Sequence, residues 1–228
     1  MKAMLLAAGY GKRLSPLTKN TPKPMLKVAG KPLLQHHIER LAANGICELV
    51  INTSWLAEQI EDYFGDGSQF GVTISWSRES QPLETGGGAA KALTLLGEQP
   101  FLMVNGDIWT DFPLSSAITE NIPVDKAAWL LLVSNPEHNP QGDFGIDKGL
   151  VNYSSKPTFT FSGISIIRPQ LLIDYTQAHK GRENFPLRDV LRPAIEAQRV
   201  VGSVYKGKWF DIGTVARYQQ INKALSKT

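Results

Sequence analysis

A glycine-rich loop and a few charged side chains are the parts of this sequence that could do chemistry. The loop spans residues 9–13 (GYGKR) and follows the apolar run 4–8, which predicts a buried strand. Glycines let the main chain approach a ligand closely, and successive N–H groups form a concavity that binds anions. Lys23, between two prolines, adds another cation. These residues predict a cradle for a triphosphate; the alternative is a tight turn with solvated charges.

Two common phosphate-binding loops are excluded. The dinucleotide motif G-x-G-x-x-G would need a glycine at the position of Leu14. The P-loop motif needs Ser or Thr after a Gly-Lys pair, and the pairs here are followed by Arg13, Pro32 and Trp209. A nicotinamide-dependent oxidoreductase and a P-loop enzyme are therefore disfavoured.

Two aspartates stand where a metal ion could bind. Asp107 follows Asn105 and Gly106 at the end of a predicted buried strand, which suits a hard cation such as Mg²⁺. Asp211 lies among bulky apolar residues in the segment WFDIGT, where an unpaired carboxylate would be costly to bury. Asp107 could instead cap a turn, and Asp211 could accept a hydrogen bond at the start of a helix.

The segment at residues 79–88 (ESQPLETGGG) is a further candidate for binding. It leads into a predicted helix, and a glycine run at a helix N-terminus lets a ligand reach backbone donors. Glu84 could equally be a solvated acid in the first helical turn.

Alternating strands and helices must position these segments. Apolar periodicity predicts further strands at residues 48–52, 72–76, 101–105 and 127–133, and helices at residues 33–41, 56–64 and 89–96. This alternation favours a mostly parallel sheet with helices on both faces. Ligands bind beyond the carboxyl ends of the strands in such sheets. The loop after the first strand and Asp107 after the fourth are therefore expected at the same edge.

The pattern changes after residue 134. A hairpin at 144–151, short strands at 158–161, 164–167 and 200–205, and helices near 171–175, 187–198 and 214–224 are predicted. We expect one Rossmann-like α/β domain over residues 1–228, with a mostly parallel mixed sheet and helices on both faces. Residues 134–228 would form a small β-rich lobe continuous with residues 1–133.

Composition limits the classes of partner. The chain has 228 residues, of which 42% are hydrophobic, and a formal charge of +3. Its Lys and Arg residues form no basic stripe for nucleic acid, and no apolar run is long enough to span a membrane. The single Cys47 rules out an internal disulfide and is expected to be a small buried side chain in a reducing cytosol. We expect a cytoplasmic protein that binds neither nucleic acid nor membrane.

Taken together, the motifs resemble the signature of the sugar-nucleotide pyrophosphorylases. They are LAAGYGKR at residues 6–13, KP at 23–24, NGD at 105–107 and WFDIGT at 209–214, and they cover nearly the whole chain in order. The resemblance implies a nucleotidyltransferase fold in which residues 1–133 bind a nucleotide and residues 134–228 bind a sugar. It implies that Arg13 and Lys23 are catalytic and contact the phosphates, and that Asp107 and Asp211 hold a catalytic Mg²⁺.

The resemblance also implies binding residues. Glu79, Leu83 and Gly86 would form the nucleobase pocket. The full set for the nucleotide is Leu6, Ala8, Gly9, Gly11, Arg13, Lys23, Glu79, Leu83, Gly86 and Asn105. The set for the sugar is Asn105, Ser162 and Gly163. The Glu-Lys-Pro lysine of relatives has no clean counterpart, because the Lys-Pro pair at residues 156–157 follows a serine.

The reaction implied is transfer of UMP from UTP to a sugar 1-phosphate, with release of pyrophosphate. The short chain and the segments KAMLLAAG and PLETGGG resemble those members of the family that use N-acetylmuramic acid 1-phosphate, which implies this sugar and a role in cell-wall recycling. Lys156, Arg188 and Lys208 are candidates to bind its lactyl carboxylate. The alternatives are guanylyl or uridylyl transfer to mannose or glucose 1-phosphate, and a non-catalytic sensor of nucleotide-sugars.

Overall fold

The structure is a computed structural model that describes residues 1–119 and 122–225, with side chains given for all of these except 117–119. The strands are β1 (Ala3–Leu6), β2 (Lys27–Val28), β3 (Lys31–Pro32), β4 (Glu48–Thr53), β5 (Thr73–Arg78), β6 (Phe101–Asn105), β7 (Ile108–Thr110), β8 (Ala128–Val133), β9 (Phe144–Asp147), β10 (Leu150–Asn152), β11 (Thr158–Ile167), β12 (Val200–Tyr205) and β13 (Trp209–Asp211). The α-helices are α1 (Leu33–Ala43), α2 (Ala57–Phe64), α3 (Glu84–Lys91), α4 (Leu93–Leu96), α5 (Leu114–Thr119), α6 (Pro169–Ala178), α7 (Leu187–Glu196) and α8 (Val215–Leu225). Short 3₁₀ turns occur at Lys12–Leu14, Lys23–Met25 and Ser68–Phe70.

One mixed sheet organises the chain. Within the described ranges its order is β5-β4-β1-β6-β11-β8-β12-β10-β9. The strands β5, β4, β1 and β6 are mutually parallel, and β12 is parallel to β8. The long strand β11 runs antiparallel between β6 and β8 and joins the two halves of the chain. The predicted mostly parallel mixed sheet is therefore confirmed.

Helices cover both faces of the sheet because successive strand residues point to opposite sides. In β1, Leu5 packs with α1 and α2 on one face, whereas Met4 packs with α3, α6 and α7 on the other. Both residues are fully buried. The sheet is thus a rigid platform, and its carboxyl edge is left for loops.

Several boundaries differ from the sequence-based predictions. The two short strands predicted at 158–161 and 164–167 form the single strand β11, whose register with β8 shifts between Phe161 and Ser165. Helix α3 begins at Glu84 and not near residue 89, because the glycine run is itself helical. The ribbon of β7 and β13 was not predicted, because three-residue strands carry little periodic signal.

Two findings of the structure bear on what was drawn from composition. Cys47 is exposed, so the expectation of a buried side chain was wrong. It lies directly before β4 at the start of the strand, where the chain is still at the surface. Among the residues that the structure describes, no helix is long and apolar enough to cross a membrane.

His37 gives the fold a specific sensitivity to acid. Its side chain lies on the buried face of α1 and is 3% exposed, and its Nε2 has no hydrogen-bond partner in the described part of the chain. Burial, assisted by the charge of Arg40, lowers the pKa of His37 from 6.5 to about 3. Between these values the unfolded chain binds a proton that the folded protein does not. The contribution of neutral His37 to the free energy of unfolding is therefore fully present above pH 6.5, and it is lost as the pH falls below that value.

We expect His37→Gln to flatten the acid side of the stability curve. The wild-type free energy of unfolding should lose about 1.4 kcal/mol per pH unit below the unfolded pKa through this residue alone. Urea unfolding at pH 7 and pH 4.5 measures the loss, and the exposed His179→Gln is the control. Equal pH dependence in wild type and His37→Gln would contradict the argument.

Candidate active site

A cavity of about 320 Å³ opens at the carboxyl ends of β1 and β6. Most of the residues predicted to bind a nucleotide line it together. They are Leu6, Ala8, Gly9, Gly11, Arg13, Lys23, Glu79 and Asn105, and Asp107 joins them. The expected convergence of the glycine loop and Asp107 at one edge of the sheet is therefore confirmed.

The conformation of the loop depends on glycine at two points. Gly11 has φ +63°, and a Cβ there would lie 2.9 Å from Cγ2 of Thr18. Its carbonyl accepts hydrogen bonds from Leu14 N (2.8 Å) and Thr18 Oγ1 (2.9 Å), which closes the turn. Gly106 N donates to Leu6 O at 2.9 Å, and a Cβ at Gly106 would clash with that same oxygen. Close backbone approach thus brings the ends of β1 and β6 together.

Lys23 and Asp107 form an ion pair across the floor of this cavity. The Nζ–Oδ2 distance is 2.6 Å, and the Lys23 side chain is only 12% exposed. Pro22 and Pro24 flank the lysine in a short 3₁₀ turn and restrict its backbone. Partial burial tends to raise the pKa of Asp107, but the charges of Lys23 and Arg13 outweigh it and lower that pKa. Asp107 is therefore a carboxylate at neutral pH.

Asp211 reaches the same region through the ribbon of β7 and β13. Asp211 pairs with Ile108, and Ile212 N donates to Asp107 O at 2.7 Å, so the two aspartates sit at one end of the ribbon. Oδ1 of Asp211 contacts Arg217 Nη1 at 2.7 Å and His138 Nε2 at 3.0 Å. Asp211 does not itself line the cavity, although Gly213, two residues further on, does.

Arg217 and His138 were missed by sequence reasoning. Arg217 lies in the first turn of α8, close enough in sequence to have been considered a partner of Asp211. His138 offered no such signal, because it belongs to a loop far from Asp211 in sequence and matches no metal-ligand spacing. Both contacts stabilise a carboxylate that would otherwise be costly to bury.

Glu79 is buried and already hydrogen-bonded within the protein. Its carboxylate accepts from Asn52 Nδ2 at 2.7 Å and from Leu83 N at 2.8 Å, and its side chain is 3% exposed. Asn52 in turn accepts from Ala7 N at 2.8 Å and lines the cavity, so it connects Glu79 to the glycine loop. Asn52 was not predicted as a site residue. Its position, a polar residue near the end of the buried strand β4, was a signal in the sequence that could have indicated it. The predicted contact of Glu79 with a base stays a prediction, and each carboxylate oxygen keeps capacity for a second hydrogen bond.

Leu83 and Gly86, also predicted for the base pocket, do not line this cavity. A Cβ on Gly86 would lie 2.6 Å from the ring of Phe185, and the N–H groups of Gly86 and Gly87 both donate to Phe185 O at 3.0 Å. The glycine run therefore lets α3 pack tightly against residues 183–185. Its backbone donors are used inside the protein, contrary to the expectation that they face a ligand.

A second cavity, of about 900 Å³, adjoins the first. Glu84, Thr85 and Asn105 line both cavities. The remaining lining comes from the second half of the chain and includes Phe144, Tyr153, Phe161, Arg188 and Arg192. Asn105 therefore lies where the two cavities meet, and its contact with both nucleotide and sugar stays a prediction.

Ser162 and Gly163, predicted for the sugar, line neither cavity. Ser162 is fully buried, and its Oγ accepts from Ile164 N at 3.1 Å. Gly163 has φ +84°, and a Cβ there would lie 2.8 Å from Nδ2 of Asn105. Gly163 packs against the Asn105 side chain where the register of β11 shifts, and the predicted contacts of Ser162 and Gly163 with the sugar stay predictions.

Comparison with known proteins identifies the family. A family model described as nucleotidyl transferase matches residues 2–228. The chain is 47% identical to the N-acetylmuramate alpha-1-phosphate uridylyltransferase of Neisseria meningitidis serogroup B, with 96% of each chain covered. The chain belongs to the nucleotidyl transferase family. The resemblance to the sugar-nucleotide pyrophosphorylases is thereby confirmed, and the protein is an enzyme of this type.

More distant relatives agree with the assignment of this chain to the nucleotidyl transferase family. The UTP–glucose-1-phosphate uridylyltransferase of Synechocystis sp. is 31% identical, and the alignment covers 100% of this chain but 64% of that protein. A solved structure of apo UDP-glucose pyrophosphorylase superposes with a TM-score of 0.81 at 22% identity, covering 100% of this chain and 98% of that one. The latter shows that the fold is shared.

The carboxylates of this nucleotidyltransferase suit a magnesium ion. No cluster of three or more His, Cys, Asp or Glu side chains that could hold a metal occurs in residues 1–119 and 122–225. Mg²⁺ does not need one, because it commonly takes one or two carboxylates and completes its shell with water and substrate phosphates. Asp107 and Asp211 supply two such hard oxygen ligands at the same end of one ribbon. The residues present therefore fit Mg²⁺, and its binding stays a prediction.

Glu84 marks the boundary between the two cavities of the nucleotidyltransferase. It is exposed and has φ +61°, a conformation that costs a non-glycine residue of the order of 1 kcal/mol. Strained residues of this kind concentrate at functional sites. Glu84 is an exposed acid in the first turn of α3, as the alternative from the sequence had it, and it also lines both cavities, so a contact with substrate stays a prediction.

Proposed function

We propose that this enzyme transfers UMP from UTP to N-acetylmuramic acid α-1-phosphate in the presence of Mg²⁺. The products are UDP-N-acetylmuramic acid and pyrophosphate. The observation that carries the proposal is the convergence of the glycine loop, Lys23 and Asp107 in one cavity that continues through Asn105 into a second. The name of the 47% identical Neisseria relative supports the choice of uridylyl donor and sugar.

The chemistry follows from the charges of the substrates. A phosphate oxygen of the sugar 1-phosphate forms a bond to the α-phosphorus of UTP, and the bond to the bridging oxygen of the leaving pyrophosphate breaks. A phosphate monoester is largely dianionic near neutral pH, because its second pKa is about 6. No side chain is therefore needed as a general base. Catalysis consists of positioning the two substrates and stabilising the charge that develops on the phosphates.

Each proposed site residue has a part in that task. Arg13 and Lys23 stabilise the negative charge that grows on the leaving pyrophosphate. Asp107 and Asp211 hold Mg²⁺, which when bound neutralises charge on the phosphates of both substrates. The backbone of residues 6–11 holds the triphosphate, Glu79 accepts from the base, and Asn105 lies between nucleotide and sugar. Residues 1–133 serve the nucleotide and residues 134–228 serve the sugar.

The proposed cellular role is a cytoplasmic step of cell-wall recycling. N-acetylmuramic acid is a cell-wall sugar, and the single cysteine suits a reducing compartment. Nucleic acid and membranes are not proposed as partners, because the charge of +3 is modest and is spread along the chain.

A pyrophosphate-release assay over a matrix of nucleoside triphosphates and sugar 1-phosphates tests the proposal. We expect UTP with N-acetylmuramic acid 1-phosphate to give the highest kcat/KM and to require Mg²⁺. A higher value for mannose or glucose 1-phosphate would overturn the sugar and keep the reaction type. Tight binding of nucleotide-sugar without any pyrophosphate release would instead indicate a sensor.

A further inference from the structure

The second cavity carries two arginines that the chemistry described so far does not use. Arg188 and Arg192 line it, and neither lines the first cavity. They lie four residues apart on α7, so they share one face of that helix. We propose that these two guanidinium groups bind the carboxylate of the lactyl ether and make the enzyme selective for an anionic sugar. This inference rests on the proposed function.

Helix α7 holds the arginines in a rigid position. Leu187, Leu191 and Ile195 on its inner side are each at most 4% exposed and pack into the core. The helix start is tied to α3, because Leu187 N donates to Thr85 Oγ1 at 2.8 Å. A site on a packed helix keeps its geometry better than one on a loop. The backbone at both arginines is therefore fixed, while their side chains are exposed at the wall of the cavity, with Arg188 83% exposed.

The ion pairs around the cavity leave both guanidinium groups able to accept an anion. Arg188 Nε is 3.9 Å from Asp189, but that carboxylate is already bound by Arg182 at 2.7 Å. Arg192 lies close to the hydroxyl of Tyr153, which is a neutral group.

The other acids that line this cavity do not oppose such binding. Asp143 accepts hydrogen bonds from Phe161 N at 2.8 Å and from Asn139 Nδ2 at 3.2 Å, so its charge is partly satisfied. Glu84 lies at the end of the cavity that is shared with the nucleotide. Asp189 on α7 also lines the cavity, but its carboxylate is paired with Arg182, so the part of the cavity beside α7 is the part suited to an anion.

The phosphate of the sugar is a less suitable ligand for these arginines. That phosphate must reach the α-phosphorus of UTP beside Asp107, which lines the first cavity. The arginines belong to the part of the second cavity formed by Phe144, Tyr153 and Phe161, whose aromatic side chains can pack against the apolar face of a sugar ring. A carboxylate elsewhere on the sugar fits this position, and guanidinium groups bind carboxylates in a two-point geometry.

The structure also separates the cations that the sequence left as equal candidates. Lys156 and Lys208 line neither cavity, whereas Arg188 does, and Arg192 was not considered. Both lysines are exposed, so they are matched controls for removal of a surface cation.

The test compares two sugars that differ by the lactyl group. With UTP and Mg²⁺, kcat/KM is measured for N-acetylmuramic acid 1-phosphate and for N-acetylglucosamine 1-phosphate. The proteins are wild type, Arg188→Ala, Arg192→Ala, the double variant, and the controls Lys156→Ala and Lys208→Ala. We expect loss of one arginine to lower kcat/KM for the muramic substrate about ten- to a hundredfold, the range of one charged hydrogen bond. The glucosamine substrate and both controls should change by less than about twofold, which corresponds to about 0.4 kcal/mol and is well below the effect of a lost charged hydrogen bond.

Different failures have different meanings. If wild type prefers an uncharged sugar, the proposed substrate is wrong and this inference falls with it. If wild type prefers the muramic substrate but the double variant keeps that preference, only the inference is overturned. Equal losses for both sugars would show that the arginines bind a group common to both, which also overturns it. Thermal melting confirms folding, and Arg→Lys variants, which keep charge without the two-point geometry, should lose part of the selectivity.

Discussion

Asp107→Asn is expected to lower turnover by roughly 10²-fold or more, the effect of removing one positioned electrostatic group. Asparagine is nearly the same shape but lacks the negative charge that would hold Mg²⁺. The Asp107 carboxylate also pairs with Lys23 at 2.6 Å. The variant therefore loses both the proposed metal ligand and the ion pair that holds the Lys23 side chain in position. Steady-state kinetics over a range of Mg²⁺ concentrations measures the effect.

Controls for Asp107→Asn must separate catalysis from folding. Asp147→Asn changes an exposed carboxylate at the end of β9 and should leave kcat unchanged. The Lys23 side chain is only 12% exposed, so leaving it without its ion-pair partner could destabilise the protein. Thermal unfolding of the variant measures whether it is still folded. Near-normal turnover by folded Asp107→Asn in Mg²⁺ would remove Asp107 from the proposed metal site.

Arg13→Ala is expected to lower kcat by roughly 10²-fold, the magnitude seen when one transition-state stabiliser is lost, and to change KM for the nucleotide much less. The negative charge on the leaving pyrophosphate grows during the reaction, so a cation beside it stabilises the transition state more than the ground state. The Arg13 side chain is exposed on the loop, so its removal should have little effect on stability.

Lys19→Ala provides the comparison for Arg13→Ala. Lys19 is an exposed cation in the same part of the chain, but it does not line the cavity. It should show near-wild-type kinetics. A rise in KM with unchanged kcat for Arg13→Ala would mean that Arg13 binds ground state and transition state equally.

Much of the fold could be predicted because it depends on local pattern. The strand Phe101–Asn105 and the helix Leu33–Ala43 were predicted to within two residues, since each has a continuous or periodic apolar pattern that it buries. Gly11 was predicted as a turn residue, and its φ of +63° confirms that a side chain would be strained there. The glycine run at residues 86–88 was expected to face a ligand, but the sequence does not show that protein atoms fill the space beside it, such as the ring of Phe185 at Gly86 and the carbonyl of Glu183 at Gly87.

The sequence by itself determined the family, the alternation of strands and helices, and the convergence of the glycine loop and Asp107 at one edge of the sheet. Only the tertiary structure decided which side chains meet there. Lys23 pairs with Asp107 across 84 residues, and Asp211 joins them because β13 pairs with β7. It also placed Arg188 in the second cavity and Lys208 outside it. Such contacts depend on how distant segments pack, and local propensity and periodicity carry no information about which segments become neighbours.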